Sequence, residues 1–150
     1  MNTNFRAEDR KVWMSLLASA EEVRLTELWQ DYGLDPDCEF LRAPEVGGIM
    51  VRGRMGSTGA PFNVGEMTVT RCALSLADGT VGHGYVQGRC KAKAEIAAKI
   101  DALMQTDAAE ALSEAVLMPL AQARQEQKTA RASKAAATKV EFFTMVRGED

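Results

Sequence analysis

Histidine occurs once in the 150 residues, at His83, and cysteine three times, at Cys38, Cys72 and Cys90, with no Cys-x-x-Cys pair. A zinc site draws on four clustered Cys or His ligands, so this chain is not expected to build a metal site alone. Odd, widely spaced cysteines argue against a disulfide framework and for reduced thiols in the cytoplasm. No run approaches the ~18 consecutive apolar residues of a membrane helix. The opening MNTNFRAEDRKVW has no apolar run behind a basic start, so no signal peptide is expected. Positive charge is not in excess either: 18 Lys and Arg against 21 Asp and Glu leave a net charge of -3. General nucleic-acid or membrane-surface binding needs a dominant basic field, and this balance excludes it. A local basic patch for one phosphorylated small molecule stays open.

What is present is an ordinary globular composition, 46% hydrophobic and 26% charged, in a length that suits one domain with a real core. Near the start, Val12, Trp13, Leu16, Leu17 and Ala20 recur at helical spacing. Leu25, Leu28, Trp29 and Tyr32 repeat the pattern before Gly33, a helix stop. Both tryptophans read as core. The stretch LDPDC is a turn.

The period then changes. GGIMVRGRM alternates, with Ile49, Val51 and Met55 on one side and Arg52 and Arg54 on the other, as in a half-buried strand. Asp78-Gly79 joins two further strands and signals a hairpin. A two-residue turn there pairs Leu76 with Val81, Leu74 with His83 and Cys72 with Tyr85. It leaves Ala73, Ser75, Gly82 and Gly84 as a flat face, where a helix or another chain packs closely. His83 then sits partly buried among Leu74, Leu76 and Tyr85. The apolar parity switches near Arg71, which predicts a β-bulge.

From Lys91 the helical period returns, with Ile96, Ala97, Ile100, Leu103 and Met104 as its stripe. Asp107 and Glu110 suit the N-cap and N3 positions of a next helix carrying Leu112, Val116 and Leu120, which Pro119 kinks or restarts. Beyond it, AQARQEQKTARASKAAATK has high helix propensity and no apolar side chain larger than alanine. It ends in VEFFTMVRGED, dense in Val140, Phe142, Phe143, Met145 and Val146. A polar stalk with an apolar end describes an arm that docks on a partner. The expected class is α+β: an N-terminal helical hairpin, an antiparallel sheet with an Asp-Gly hairpin, and C-terminal helices. Residues 1–136 form a single domain that includes the polar stalk, and 137–150 an extended docking tail.

The residues most suggestive of chemistry lie in RGRMGSTGAPFNVGEMTVTR, residues 52–71. A Walker A loop requires lysine after its glycines, and none is present. A dinucleotide fingerprint opens a helix, whereas Ala60-Pro61 and more strand follow here. What survives is an anion nest of backbone N–H groups, with Arg52, Arg54, Ser57, Thr58 and Arg71 as candidate phosphate contacts. Arg89 and Lys91 at a helix start form a lesser basic cluster, and Cys90 between them is a candidate for a lowered thiol pKa. No Ser/His/Asp, Cys/His or carboxylate grouping with catalytic or metal spacing emerges.

Taken in order, RKVWMSLLA, RMGSTGAPFNVGEMTVTR, LADGTVGHGYVQGR, AEIAAKIDALMQ and FFTMVRG resemble the PhnG family, the small subunit of the bacterial carbon–phosphorus lyase system. The resemblance spans residues 10–148. It implies work with PhnH, PhnI and PhnL in moving the ribose triphosphate of ATP onto methylphosphonate, releasing adenine. It also implies a core complex holding two copies each of this subunit, PhnH, PhnI and PhnJ. No cofactor is implied for this chain: ATP is substrate of the complex, and the iron–sulfur cluster and S-adenosylmethionine belong to PhnJ. No catalytic residue carries over, and Gly82, Gly84 and the apolar tail become expected docking positions. One departure, cysteine at 90 where the family has aspartate, argues against a special role for that thiol.

Overall fold

The computed structural model describes residues 7–139 as α1 (Ala7–Ser19), α2 (Glu22–Tyr32), β1 (Cys38–Arg54), β2 (Pro61–Leu76), β3 (Val81–Gln87), α3 (Lys91–Leu103), α4 (Ala109–Leu112) and α5 (Met118–Ala137). The α+β expectation holds: helices accompany one antiparallel sheet of order β1-β2-β3. Helices α1 and α2 bring Trp13, Leu16, Leu17, Leu25, Leu28 and Trp29 into the core. Gly33 closes α2 at φ 71°, the left-handed conformation that glycine adopts without cost. Val12 departs from its expected place and is 69% exposed, outside the arc that Trp13, Leu16 and Leu17 turn inward.

Strand β1 begins at Cys38, nine residues earlier than its clear alternation suggests, because Pro44 and the charges of Glu39, Arg42 and Glu45 mask it. The hairpin between β2 and β3 corrects the expected register by one residue. Its turn has three central residues, with Leu76 N–H donating to the Thr80 carbonyl and Gly79 at φ 85°. Ser75 therefore pairs with Val81, Leu74 with Gly82, Ala73 with His83 and Cys72 with Gly84. A slip of one exchanges the faces. Cys72, Leu74 and Leu76 share the core face with Gly82, Gly84 and Val86, while His83 and Tyr85 lie exposed on the other side.

The two glycines explain how α3 packs. A Cβ on Gly82 would lie 2.7 Å from Ala102 Cβ and would overlap the Ala98 carbonyl, and one on Gly84 would overlap the Ala94 carbonyl. The helix backbone thus rests directly on the strand through Ala94, Ala98 and Ala102. No bulge breaks β2 against β3. The irregularities lie in the β1–β2 ladder, between Phe40 and Arg42, Arg42 and Glu45, and Val51 and Arg52. Apolar parity changes along β2 because Val69 is buried on one side while Thr70, on the other, donates its hydroxyl to the Gly88 carbonyl at 2.6 Å.

Leu112, Val116 and Leu120 are buried as expected. Between them, Ser113–Leu117 widens into a π-turn before Pro119 restarts the helix in its first turn. Proline lacks the N–H that would continue the ladder, and a wider turn accommodates that loss. Asp107 caps nothing here: α4 starts after Ala108, whose N–H bonds Thr106 Oγ1 at 3.3 Å. From Gln122 onward α5 buries no side chain.

Candidate functional site

The five candidate phosphate residues do not converge. Arg52 sits exposed opposite Asn63, and Arg54 turns back to donate Nη1 to the Gly59 carbonyl at 3.1 Å. Ser57 and Gly56 occupy left-handed conformations in an open three-residue turn, with Thr58 following. Arg71 lies eight residues along β2 from Asn63, about 26 Å at strand rise. There its Nε donates to Glu45 Oε1 at 2.8 Å, and Arg42 Nη1 reaches the same oxygen at 2.6 Å. These two guanidiniums hold the Glu45 carboxyl below its usual range, Arg42 contributing most. Arg71 thus belongs to an exposed ion-pair cluster on the sheet, not to the loop.

Gly82 and Gly84, expected to face a partner, are buried beneath α3 of their own chain. Of the two occupants the sequence allowed, the structure places the helix. Val140, Phe142, Phe143, Met145 and Val146 lie outside the described residues.

Exposed apolar surface lies elsewhere, in a feature only half legible from the sequence. Strand β3 ends at Gln87, paired with Val69, yet β1 and β2 continue as a two-stranded ribbon to the turn at Met55–Ser57. Of the strand expected to be half-buried, Ile49 is partly covered, but Val51 and Met55 are exposed because the core stops where β3 stops. Met50, Val51, Met55, Phe62 and Val64 of the ribbon are between 37% and 76% exposed. Near the tip, Phe62 and Val64 fold over Gly53, whose absent side chain leaves room for them. Isolated two-stranded ribbons are marginal in water. Each such side chain gains about 1.5–3 kcal/mol on full burial, so covering this ribbon would stabilise it.

At the other end of the domain, Asp101 is fully buried and accepts four hydrogen bonds. Its Oδ1 receives Arg10 Nε and Trp13 Nε1, each at 3.0 Å, and its Oδ2 receives Arg10 Nη2 at 2.6 Å and the His83 backbone N–H at 2.8 Å. One carboxylate therefore joins α1, α3 and the outer edge of β3. Spacing did not flag it, although an aspartate inside the apolar stripe of α3 was the available signal.

At the start of α3, Cys90 Sγ accepts the Lys93 backbone N–H at 3.2 Å and acts as the N-cap. Burial pushes the Cys90 thiol up rather than down, which corrects the expectation of a lowered pKa. Burial likewise lowers Lys93, whose Nζ reaches the Ala18 carbonyl at 3.3 Å. The raised thiol is not poised as a nucleophile, and the Lys93 amine is buried in its contact with Ala18. Among the described residues no group of three or more His, Cys, Asp or Glu gathers as a metal site, and no helix is long and apolar enough to cross a membrane.

Two clefts flank the root of α5. One, about 380 Å³, is apolar and runs between Val12, Trp13 and Leu16 of α1 and Leu117, Met118 and Ala121. The second, about 590 Å³, shares Met104, Ser113 and Met118 with it and opens among Asp107, Glu110 and Glu114.

Comparison with known proteins agrees with the pattern of blocks in the sequence. The family profile described as phosphonate metabolism protein PhnG matches residues 8–148. A relative from Rhizobium meliloti (strain 1021), the alpha-D-ribose 1-methylphosphonate 5-triphosphate synthase subunit PhnG, is 44% identical over 141 residues, covering 94% of this chain and 90% of the relative.

Proposed function

This chain belongs to the PhnG family of phosphonate metabolism proteins, and from that membership we propose that it is the assembly subunit of a ribose 1-methylphosphonate 5-triphosphate synthase. In this role it acts in the cytoplasm with PhnH, PhnI and PhnL. The complex breaks the N-glycosidic bond of ATP, releases adenine and joins the ribose triphosphate to a phosphonate oxygen of methylphosphonate. It shares a core complex with PhnH, PhnI and PhnJ, two copies of each. Catalysis is assigned to none of its residues, and the iron–sulfur cluster and S-adenosylmethionine belong to PhnJ.

The observation that carries this reading is the ribbon. A chain that leaves Met50, Phe62 and Val64 in water on a ribbon projecting past its own core is built to be covered, as obligate interfaces are. The test replaces residues 50–66 with Asn-Gly, which closes the hydrogen-bonded Ile49–Met67 pair as a tight hairpin. The shortened chain is expected to fold, to fail to co-purify with the other subunits, and to leave them unable to release adenine from ATP. A shortened chain that assembles and supports turnover like the wild type would overturn the reading.

A nucleotide- or phosphonate-binding role for Arg52, Arg54, Ser57 and Thr58 is the competing proposal. Calorimetric titration of the isolated chain with ATP and with methylphosphonate separates the two. Saturable heat that disappears in Arg54→Ala would favour binding at the loop.

A further inference from the structure

We infer that the groove at the root of α5 receives an amphipathic helix from another subunit of the synthase, apolar along one face and carrying Lys or Arg at one end. The proposal rests on the assembly reading and adds a second contact, on the face formed by α1 and α5. Two properties of the groove define its occupant. Its walls are largely apolar and open, with Asp9 the charged residue among them: Val12 is 69% and Met118 62% exposed, and Trp13, Leu16 and Leu117 form the floor. An exposed apolar cleft between helices suits the apolar face of a third helix. Its far end is acidic. Asp107, Glu110 and Glu114 line the adjoining cleft, and none is engaged in an ion pair within the described residues. These three charges equal in number the whole net charge of -3, so the remainder of the chain is balanced while this mouth is not. A cation here meets attraction, whereas a neutral or acidic segment leaves three carboxylates crowded together.

Chain length removes the protein's own apolar tail as a helical occupant. Helix α5 carries the chain about 30 Å away from Met118 at 1.5 Å per residue. Phe142 follows Ala137 by five residues, a reach of at most about 18 Å. The phenylalanines fall short of Met118, and Met145 and Val146, eight and nine residues past Ala137, span about 29–32 Å only when fully extended, so the tail cannot lie along the groove as a helix. A helix that fills it belongs to another polypeptide.

The experiment uses the full chain co-expressed with the other subunits. Val12→Glu and the pair Glu110→Lys with Glu114→Lys are each compared with Glu126→Lys, a charge reversal on the exposed stalk. All are exposed sites, and melting curves verify folding. The groove variants are expected to weaken association at least tenfold, and the stalk variant to leave it unchanged. A photo-crosslinking residue at position 118 is expected to capture a helix of another subunit with Lys or Arg near the attachment point. Capture of residues 1–6 or 140–150 of the same chain, or of a second copy, overturns the assignment, as does unweakened association of the groove variants. If those variants assemble normally while the shortened ribbon does not, this inference fails alone. If the shortened ribbon assembles as well, the assembly reading falls with it.

Discussion

Replacing Asp101 with asparagine changes one oxygen for one nitrogen at the junction of α1, α3 and β3. In the native protein all four contacts to this side chain are donors: two from Arg10, one from Trp13 and one from the His83 backbone. An asparagine amide must place its NH2 at one of the two oxygen positions. At either, it faces two donors with a donor of its own. Two hydrogen bonds are lost, and the Arg10 charge loses its counterion. Bonds to a charged acceptor contribute about 1.5–3 kcal/mol each, and breaking a buried pair costs about 3–5 kcal/mol. Arg10 keeps 33% of its side chain in water, which restores part of the loss by hydration and argues for the lower end. The expected destabilisation is about 3 kcal/mol, a melting point lower by roughly 6–12 °C for a chain of this size. Fluorescence-detected denaturation reads it directly, since Trp13 is itself one of the donors. Arg10→Ala leaves the Trp13 and His83 bonds in place but strands the fully buried carboxylate without its counterion, and is expected to cost at least as much as Asp101→Asn. A melting point for either variant within 2 °C of wild type would refute the account of Asp101 as the joint of the domain.

Other outcomes follow from the packing and the cysteines. Gly84→Ala is expected to destabilise by about 1–3 kcal/mol or more through overpacking against the Ala94 carbonyl, whereas Gly47→Ala, with open space around its Cβ position, is expected to be neutral in urea unfolding. Desolvation raises the Cys72 thiol from 9.0 to about 11, so the folded state holds its proton where the unfolded state has lost it. Stability is therefore full below pH 9 and falls as pH rises toward 11. Cys72→Ala is expected to flatten that alkaline decline, read as the difference between the two chains' denaturation midpoints against pH. Cys90→Ala is expected to cost about 0.5–1 kcal/mol through loss of the cap, and Cys90→Asp to retain it, by thermal melting.

The helices were legible because their apolar residues repeat at helical spacing, Val12 apart: Leu25, Leu28 and Trp29 before Gly33, and Ile96, Ala97, Ile100 and Leu103 in α3 are buried as the period requires. The hairpin misled by one residue. Asp78-Gly79 signals a two-residue turn, but Ala77 joins it, and a single added residue exchanges the faces of β3. His83 and Tyr85 then move outward, and the glycines join Leu74 in the core. Asp101 was hidden because its partners lie 91, 88 and 18 residues away, beyond any local pattern. Arg71 was grouped with the loop by proximity in sequence, and strand rise alone separates them. The ribbon was seen as a strand but not as an exposed one, since alternation reports a pleat and not what covers it.

The Arg10–Asp101 contact also orders events in time. Until α3 is made, α1 has no carboxylate to meet, and the apolar face of Cys72, Leu74 and Leu76 has no helix to lie on. Growing chains that end before Leu103 carry a bare sheet, the species most prone to aggregate. Past Leu120 the situation reverses: nothing further along α5 is buried, so the domain can close while its stalk is still being synthesised.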